Sequence, residues 1–178
     1  MRFSVCSMAI AIALASPAVF PQATMDKAAN TGNQLASSDV KWMEKAARAG
    51  IAEVEAGKLA VAQGKRDDVR SFGKQMIDDH GKANEELKAI ASKKGVTLPD
   101  KTDSKHIKAT TKLSGLNGEK FDKEYIANPG VSDHKGAQKL FKDGSKNLKD
   151  PDLKAFAQKT LPIVEHHLMM VEDMKKKS

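Results

Sequence analysis

With 178 residues, the chain has the length of one domain with a buried core and is too short to require two. Aromatic residues make up 4% of it and charged residues 30%, a composition that favours helices over a β-sheet. The net charge is +7, but the lysines are interleaved with acidic residues rather than gathered into a stripe, so we do not expect a nucleic acid as partner.

Residues 1–23 are predicted to be a signal peptide. Arg2 gives a positive start, residues 5–15 form a short apolar run, and small residues offer cleavage after Ala18 or after Ala23. The run is shorter than the roughly 20 apolar residues of a membrane-spanning helix, so we expect no transmembrane segment in the mature chain. We therefore expect an exported protein, located in the periplasm or associated with the outer membrane.

A polar stretch over residues 24–38 is predicted to be a flexible lead-in, and residues 39–176 are predicted to form a helical domain. The first helix is expected over about residues 39–63, with Ser38 or Asp39 as its N-cap. Its apolar residues recur at helical spacing, in the set Val40, Met43, Ala47, Ile51, Val54 and Val61.

The second helix is predicted over about residues 67–94, where apolar residues recur every three or four positions and Gly95 ends the pattern. The connection that follows covers residues 95–118 and contains one short helical piece near residues 104–113. A connection of this length can cross a helical bundle from one end to the other.

The next helix is predicted from about Glu119, with an interruption at Pro129 and Gly130 that re-phases its apolar face. Asp150 and Pro151 then open the last helix as N-cap and first-turn proline. Two helical hairpins joined by a long crossover that contains a short helix predict an all-α fold, a ferritin-like four-helix bundle.

Polar residues interrupt the predicted core faces of these helices. At about 100° per residue, three histidines fall in the middle of apolar faces: His80, His134 and His167. Glu55 lies at the edge of the first helix's apolar face, and its height differs from that of His80 by roughly 5 Å at about 1.5 Å per residue. One carboxylate and three imidazoles from four helices predict a mononuclear metal site, with zinc, copper, nickel or iron as candidate ions.

A structural role for these histidines is the alternative interpretation, because a core histidine often only hydrogen-bonds to a carboxylate. The carboxylates available for this are Glu55, Asp79 and Asp133. A ferritin-type di-iron centre is not expected, since it needs a Glu three residues before a His on each of two helices. Ile77 and Val164 stand at those positions. We expect His106 and His166 to face solvent.

Four motifs occur in order within residues 39–175. They are EVEAGKLA at 53–60, DDH at 78–80, SDHK at 132–135, and LP at 161–162 followed by HL at 167–168. In these motifs the chain resembles the bacterial domain-of-unknown-function family of predicted outer-membrane, ferritin-like proteins. The resemblance implies a ferritin-like fold and an envelope location, with no established activity. The chain departs from the family at residues 128–130, where the family usually continues as helix.

Two functions are compatible with this sequence, which holds no phosphate loop, nucleophile elbow or Ser-His-Asp arrangement. The first is a non-catalytic envelope protein, structural or stress-related, whose inward polar residues only fix the register of the bundle. The second is a mononuclear metal-binding or metal-dependent redox protein that uses Glu55 and the three histidines. A third, a helical chaperone or adhesion module, would act through the surface of the bundle.

Overall fold

The computed structural model describes residues 35–177; the predicted signal peptide and residues 24–34 of the predicted lead-in lie outside the described residues. Within this part the chain forms α-helices and one π-helical segment, and no β-strand. The α-helices are α1 (Ser37–Gln63), α2 (Asp67–Lys93), α3 (Ser104–Ser114), α4 (Gly118–Tyr125), α5 (His134–Asn147) and α6 (Pro151–Lys176). The π-helical segment, Ile126–Asp133, joins α4 directly to α5. The all-α prediction is confirmed.

Two helical hairpins make up the bundle. α1 packs along α2 after a short turn at residues 64–66, and α5 packs along α6 after a turn at residues 148–150. The crossover between the hairpins contains α3, as predicted, so the ferritin-like arrangement is confirmed. No helix formed by residues 35–177 has both the length and the apolar composition needed to cross a membrane.

Two apolar clusters fill the core, one toward each end of the bundle. In the first, the Trp42 indole meets the rings of Phe141 and Phe156 edge-on, at centroid distances of 5.4 and 6.3 Å. In the second, the Phe72 ring meets that of Tyr125 edge-on at 6.2 Å. Along each long helix a buried polar residue separates the two clusters: Glu53, His80, His134 and His167. These four residues form a polar layer at mid-height.

The start of α6 is capped as predicted, whereas the start of α1 is not. The Asp150 carboxylate accepts hydrogen bonds from the backbone N–H groups of Asp152 and Leu153 at 3.0 and 3.1 Å, and Pro151 is the first helical residue. α1 begins before the predicted caps and has no side-chain cap. Asp39 is 1% exposed and instead accepts from the N–H groups of Lys149 and Asp150 at 3.0 and 2.8 Å.

Asp39 of the first hairpin therefore binds the turn of the second hairpin, and an aspartate of the second hairpin binds the turn of the first. Asp122 in the middle of α4 accepts from the N–H groups of Lys65 and Arg66, both at 3.0 Å, in the turn between α1 and α2. Turn N–H groups that would otherwise lack a protein acceptor are satisfied by a carboxylate, which is worth more than a bond to a neutral acceptor. Each hairpin thus holds the turn of its neighbour.

The predicted interruption at Pro129 is a change of helix type rather than a break. Pro129 has no N–H to donate and its ring crowds the preceding turn, so a wider π-helical turn replaces the regular one there. A Cβ at Gly130 would overlap the Val171 side chain of α6. The glycine therefore lets α6 approach the segment closely, and the helical backbone continues through residues 128–130.

Candidate metal centre

The three histidines predicted to face the core meet in the polar layer. His80 of α2 is 7% exposed, and His134 of α5 and His167 of α6 are fully buried. Their ring centroids lie 5.3 Å apart for His80 and His167 and 5.6 Å apart for the other two pairs. One ring nitrogen from each lies within 4.8 Å of the corresponding atoms of the other two. Among residues 35–177 this is the one group of three or more metal-ligand side chains gathered so closely.

The π-helical segment decides that His134 belongs to this group. Tyr125 and His134 are nine positions apart, which is about two and a half turns of a regular α-helix. The two side chains would then lie on opposite sides of the helix. Both are buried in the core, because the wider turns of the segment Ile126–Asp133 rotate the following helix.

Each histidine has one buried ring nitrogen with no hydrogen-bond partner: Nε2 of His80, Nε2 of His134 and Nδ1 of His167. For two of them the second nitrogen is engaged by an oxygen. His134 Nδ1–H donates to the backbone carbonyl of Pro129, and His167 Nε2–H donates to the Asp79 carboxylate, both at 3.0 Å. Because these oxygens are acceptors, the unpaired nitrogens of His134 and His167 carry lone pairs. Metal-binding histidines are held in this way by oxygens outside the coordination sphere.

Burial keeps the imidazoles neutral at neutral pH. It lowers the pKa of His80 well below the usual value, and the neighbouring histidines lower it further. Burial also lowers the pKa of His134 to about 4, with the Pro129 carbonyl acting in the opposite direction. The pKa of His167 is lowered by burial and partly restored by Asp79. A neutral imidazole is the form that binds a metal ion.

The prediction of Glu55 as the acidic ligand from α1 is wrong, because this residue lies on the exposed side of the helix. Glu53 is the inward carboxylate, 4% exposed, with Oε1 3.5 Å from Nδ1 of His134. Two positions along a helix turn the side chain by about 200°, so only one of these glutamates can face the core. The large apolar residues Ile51 and Val54 indicated a core face of α1 that is only partly buried. α1 buries its small residues instead, at Ala46, Gly50, Ala56, Gly57 and Ala60.

Small residues are buried there because α1 and α2 pack closely. A Cβ at Gly57 would lie 2.8 Å from the carbonyl oxygen of Gly73, which is closer than real Cβ atoms approach a backbone. The spacing of alanine and glycine residues was therefore the signal in the sequence that could have identified Glu53 as inward.

Glu53 lies outside the group of unpaired nitrogens. It approaches the ring nitrogen of His134 that already donates to Pro129, not the unpaired Nε2. Burial raises the pKa of Glu53 well above its usual value, and the charge of Asp133 raises it further. Both effects favour the protonated, uncharged form of this carboxyl group.

The remaining histidines lie elsewhere. His166 is exposed, as predicted. The expectation for His106 is wrong: its ring is 17% exposed and lies 2.9 Å from the Asp103 carboxylate, at the first turn of α3. Asp103 is the N-cap of that helix and also accepts from the His106 N–H at 3.0 Å, so the ring is drawn against the cap.

Comparisons with known proteins agree with this architecture. The chain is similar in fold to the crystal structure of a DUF305 fragment from Deinococcus radiodurans, with a TM-score of 0.71 and 11% sequence identity. The match covers 81% of this chain and 99% of that one, and at this identity it concerns the fold alone. A search of curated proteins found no match. The model of the domain of unknown function DUF4142 matches residues 24–174. The chain therefore belongs to the DUF4142 family.

Proposed function

We propose that this protein binds one transition metal ion through His80, His134 and His167. Two observations carry the proposal: one ring nitrogen of each histidine lies within 4.8 Å of those of the other two, and each ring has one buried nitrogen with no hydrogen-bond partner. A buried nitrogen without a partner costs about 1–3 kcal/mol. A shared metal ion would satisfy all three at once, and no protein group described in residues 35–177 does so.

The donor set limits the class of ion. Neutral imidazoles suit zinc, copper, nickel and iron rather than magnesium or calcium, which prefer oxygen. A metal–imidazole bond of about 2.0–2.1 Å places tetrahedral ligand atoms about 3.3 Å apart. From the present separations of up to 4.8 Å, each ring would move inward by at most about 1 Å to reach that geometry.

A structural, non-catalytic bundle is the second candidate. It is favoured by the hydrogen bonds of the two fully buried histidines: the bond of His167 to Asp79 joins α6 to α2, and the bond of His134 to Pro129 fixes the His134 ring against its own helical segment. In that case the polar layer would set the register of the helices and bind no ion. A stress-related role in the envelope would then rest on the stability of the bundle alone.

The experiment that separates the two is metal analysis of protein purified without a chelating tag, followed by melting after reconstitution with each candidate ion. We expect one ion per chain and a raised melting temperature, because an ion bound only by the folded state stabilises that state by mass action. His80→Gln, His134→Gln and His167→Gln should each abolish the rise. His106→Gln and His166→Gln are the matched controls and should keep it. Absence of bound metal with unchanged melting would contradict the proposal and favour the structural bundle.

We also propose that the protein acts in the bacterial envelope. The support is the positive, apolar and small-residue order of residues 1–23. The intact mass of protein recovered from the envelope should lack the first 18 or 23 residues. Full-length protein found only in the cytoplasm would contradict export. Fractionation of the two membranes and the periplasm tests the finer proposal of association with the outer membrane.

A further inference from the structure

We infer that a metal ion held by the three histidines keeps one exchangeable coordination position, and that this position takes a small anion rather than a fourth side chain. The inference rests on the proposed metal site. It adds the number of protein ligands and the chemical class of the remaining ligand. It is carried by where the nearest carboxylates lie and by what surrounds the rings.

The two nearest carboxylates both lie on the outer side of the rings. Asp79 accepts from Nε2–H of His167, while the unpaired nitrogen of that ring is Nδ1. Glu53 lies 3.5 Å from Nδ1 of His134, while the unpaired nitrogen there is Nε2. Neither Asp79 nor Glu53 belongs to the group whose ligand atoms lie within 4.8 Å of one another. Within residues 35–177 no further His, Cys, Asp or Glu joins the group.

Three nitrogen ligands leave the coordination of a zinc or cobalt ion incomplete. Zinc and cobalt sites of this kind usually have at least four ligands, and a site with three protein ligands holds water or another small molecule in the fourth position. α1 is the one long helix of the bundle that contributes no ligand nitrogen, and its inward carboxyl, Glu53, is turned to the back of His134. The fourth position therefore goes to a ligand from solution.

The surroundings limit the size of that ligand. The Phe72 ring lies 5.9 Å from the His134 ring and 6.1 Å from the His167 ring, centroid to centroid, and closes one side of the group. The apolar clusters lie above and below, and the most accessible of the three histidines, His80, is only 7% exposed. A position enclosed in this way admits a ligand of a few atoms at most and excludes an organic substrate of ordinary size.

The charge of the site favours an anion over a neutral molecule. Three neutral imidazoles bring no negative charge, and the Asp79 carboxylate acts on the site only through the His167 ring, so a divalent ion would keep a net positive charge in a buried place, which is costly. A hydroxide or a monovalent anion bound directly to the ion reduces this charge. Water bound to such an ion would release a proton to the solvent more readily than bulk water does, so hydroxide is one of the anions that could occupy the position.

Cobalt(II) is the appropriate probe, because its visible absorption bands report the number and kind of its ligands. The protein as recovered from the envelope, loaded with one cobalt ion per chain, is titrated with sodium azide. We expect the visible bands to shift in a saturable way with one azide bound per cobalt, and metal analysis after gel filtration to show that the ion is retained. His166→Gln, which alters only the exposed histidine, should give the same titration.

The outcomes separate the two proposals. Cobalt bound at one per chain with a spectrum indifferent to azide would mean that side chains fill every position, and would overturn this inference while leaving the metal site intact. Failure of the protein to bind cobalt, zinc, copper, nickel or iron would overturn the proposed site and this inference with it. Azide that removes the ion, detected as metal lost on gel filtration, would also contradict an exchangeable position on a retained ion.

Discussion

His80 and His166 show how strongly the role of a histidine depends on the face of the helix that carries it. His80 replaces an apolar residue in the stripe of α2 that also includes Phe72 and Met76, and its ring meets two other imidazoles. His166 precedes the buried His167 by one position and is exposed. The same kind of side chain therefore lies in the buried polar layer in one place and on the exposed surface in the other.

A charge introduced at these two positions should have very different effects on stability. His80→Lys places an ammonium group in the polar layer beside two neutral imidazoles, so we expect a loss of several kcal/mol in the free energy of unfolding. His166→Lys should change it by less than about 0.5 kcal/mol, as surface substitutions do. Urea denaturation of metal-free protein measures both. Equal losses for the two variants would mean that the helical phase of α2 or α6 differs from the one described.

The lowered histidine pKa values predict a stability that falls in acid. An unfolded histidine has a pKa of about 6.5, while burial lowers that of folded His134 to about 4. Between these values the unfolded state binds more protons, so the contribution of His134 is complete above pH 6.5 and is lost as the pH falls toward 4. At pH 5 this loss amounts to about 2 kcal/mol relative to neutral pH.

Denaturation of metal-free wild type and His134→Gln at pH 7.5 and pH 5 is the measurement. The variant should lose about 2 kcal/mol less than the wild type between the two values, because glutamine does not titrate. His166→Gln is the control and should behave as the wild type does. The same acid sensitivity in His134→Gln and the wild type would show that this histidine is not kept neutral by burial.

The π-helical segment is the element that brings the second hairpin into contact with the rest of the site. It turns His134 inward, exposes the Pro129 carbonyl to the His134 ring, and allows α6 to approach at Gly130. A helix that was regular throughout would lose each of these features. The predicted interruption at Pro129 and Gly130 lies within this irregular segment. The backbone nevertheless stays helical through the segment, which packs against α6.

Two glycines, one in this segment and one in α5, provide a matched pair for testing the close contact. A Cβ at Gly130 would overlap the Val171 side chain, whereas a Cβ at Gly136 would meet nothing within 4 Å. We expect Gly130→Ala to cost about 1–3 kcal/mol, as overpacking in a core does. Gly136→Ala should be neutral or stabilise by up to about 1 kcal/mol, because alanine favours the helix. Thermal or urea unfolding decides it, and a neutral Gly130→Ala would exclude a tight contact there.

At the scale of the whole molecule, side chains from one hairpin satisfy the turn of the other. Asp39 accepts from the turn between α5 and α6, and Asp122 accepts from the turn between α1 and α2. Lys94 at the end of α2 adds an ion pair with Asp150 at 2.8 Å at the same end as Asp39. These contacts link residues that are distant in the sequence and hold the hairpins to each other at both ends of the bundle.

Removal of either aspartate should therefore destabilise the whole bundle. Asp39→Ala leaves the N–H groups of Lys149 and Asp150 without their acceptor, at an expected cost of about 1–3 kcal/mol. Asp122→Ala should cost a similar amount at the other end. Asp143→Ala, at an exposed position of α5, is the control and should be nearly neutral. Chemical denaturation that gives the same midpoint for Asp39→Ala and Asp143→Ala would contradict the role of Asp39.

The sequence by itself determined the class of fold and the inward direction of three histidines. Helical spacing of apolar residues, the proline that starts α6 and the long crossover are local properties, so they predict the helices to within a few residues. His80 and His167 lie within long regular helices, where a rotation of about 100° per residue carries the phase reliably from one turn to the next. Binding of a metal ion at these residues stays a prediction.

Only the tertiary structure decided which groups surround those histidines. Glu53 replaced Glu55 because α1 packs its alanine and glycine residues against α2, a choice made by the fit between two helices and not by the hydrophobicity of one. The Asp39 side chain does not cap its own helix but accepts from a turn that follows more than a hundred residues later. Which ring nitrogen of His167 and of His134 stays unpaired is set by the Asp79 carboxylate and by the Pro129 carbonyl, because each of these accepts from the other nitrogen of the ring. The contacts of Asp39 with the turn at Lys149 and of His167 with Asp79 join distant parts of the chain, so the sequence of a single helix does not specify them.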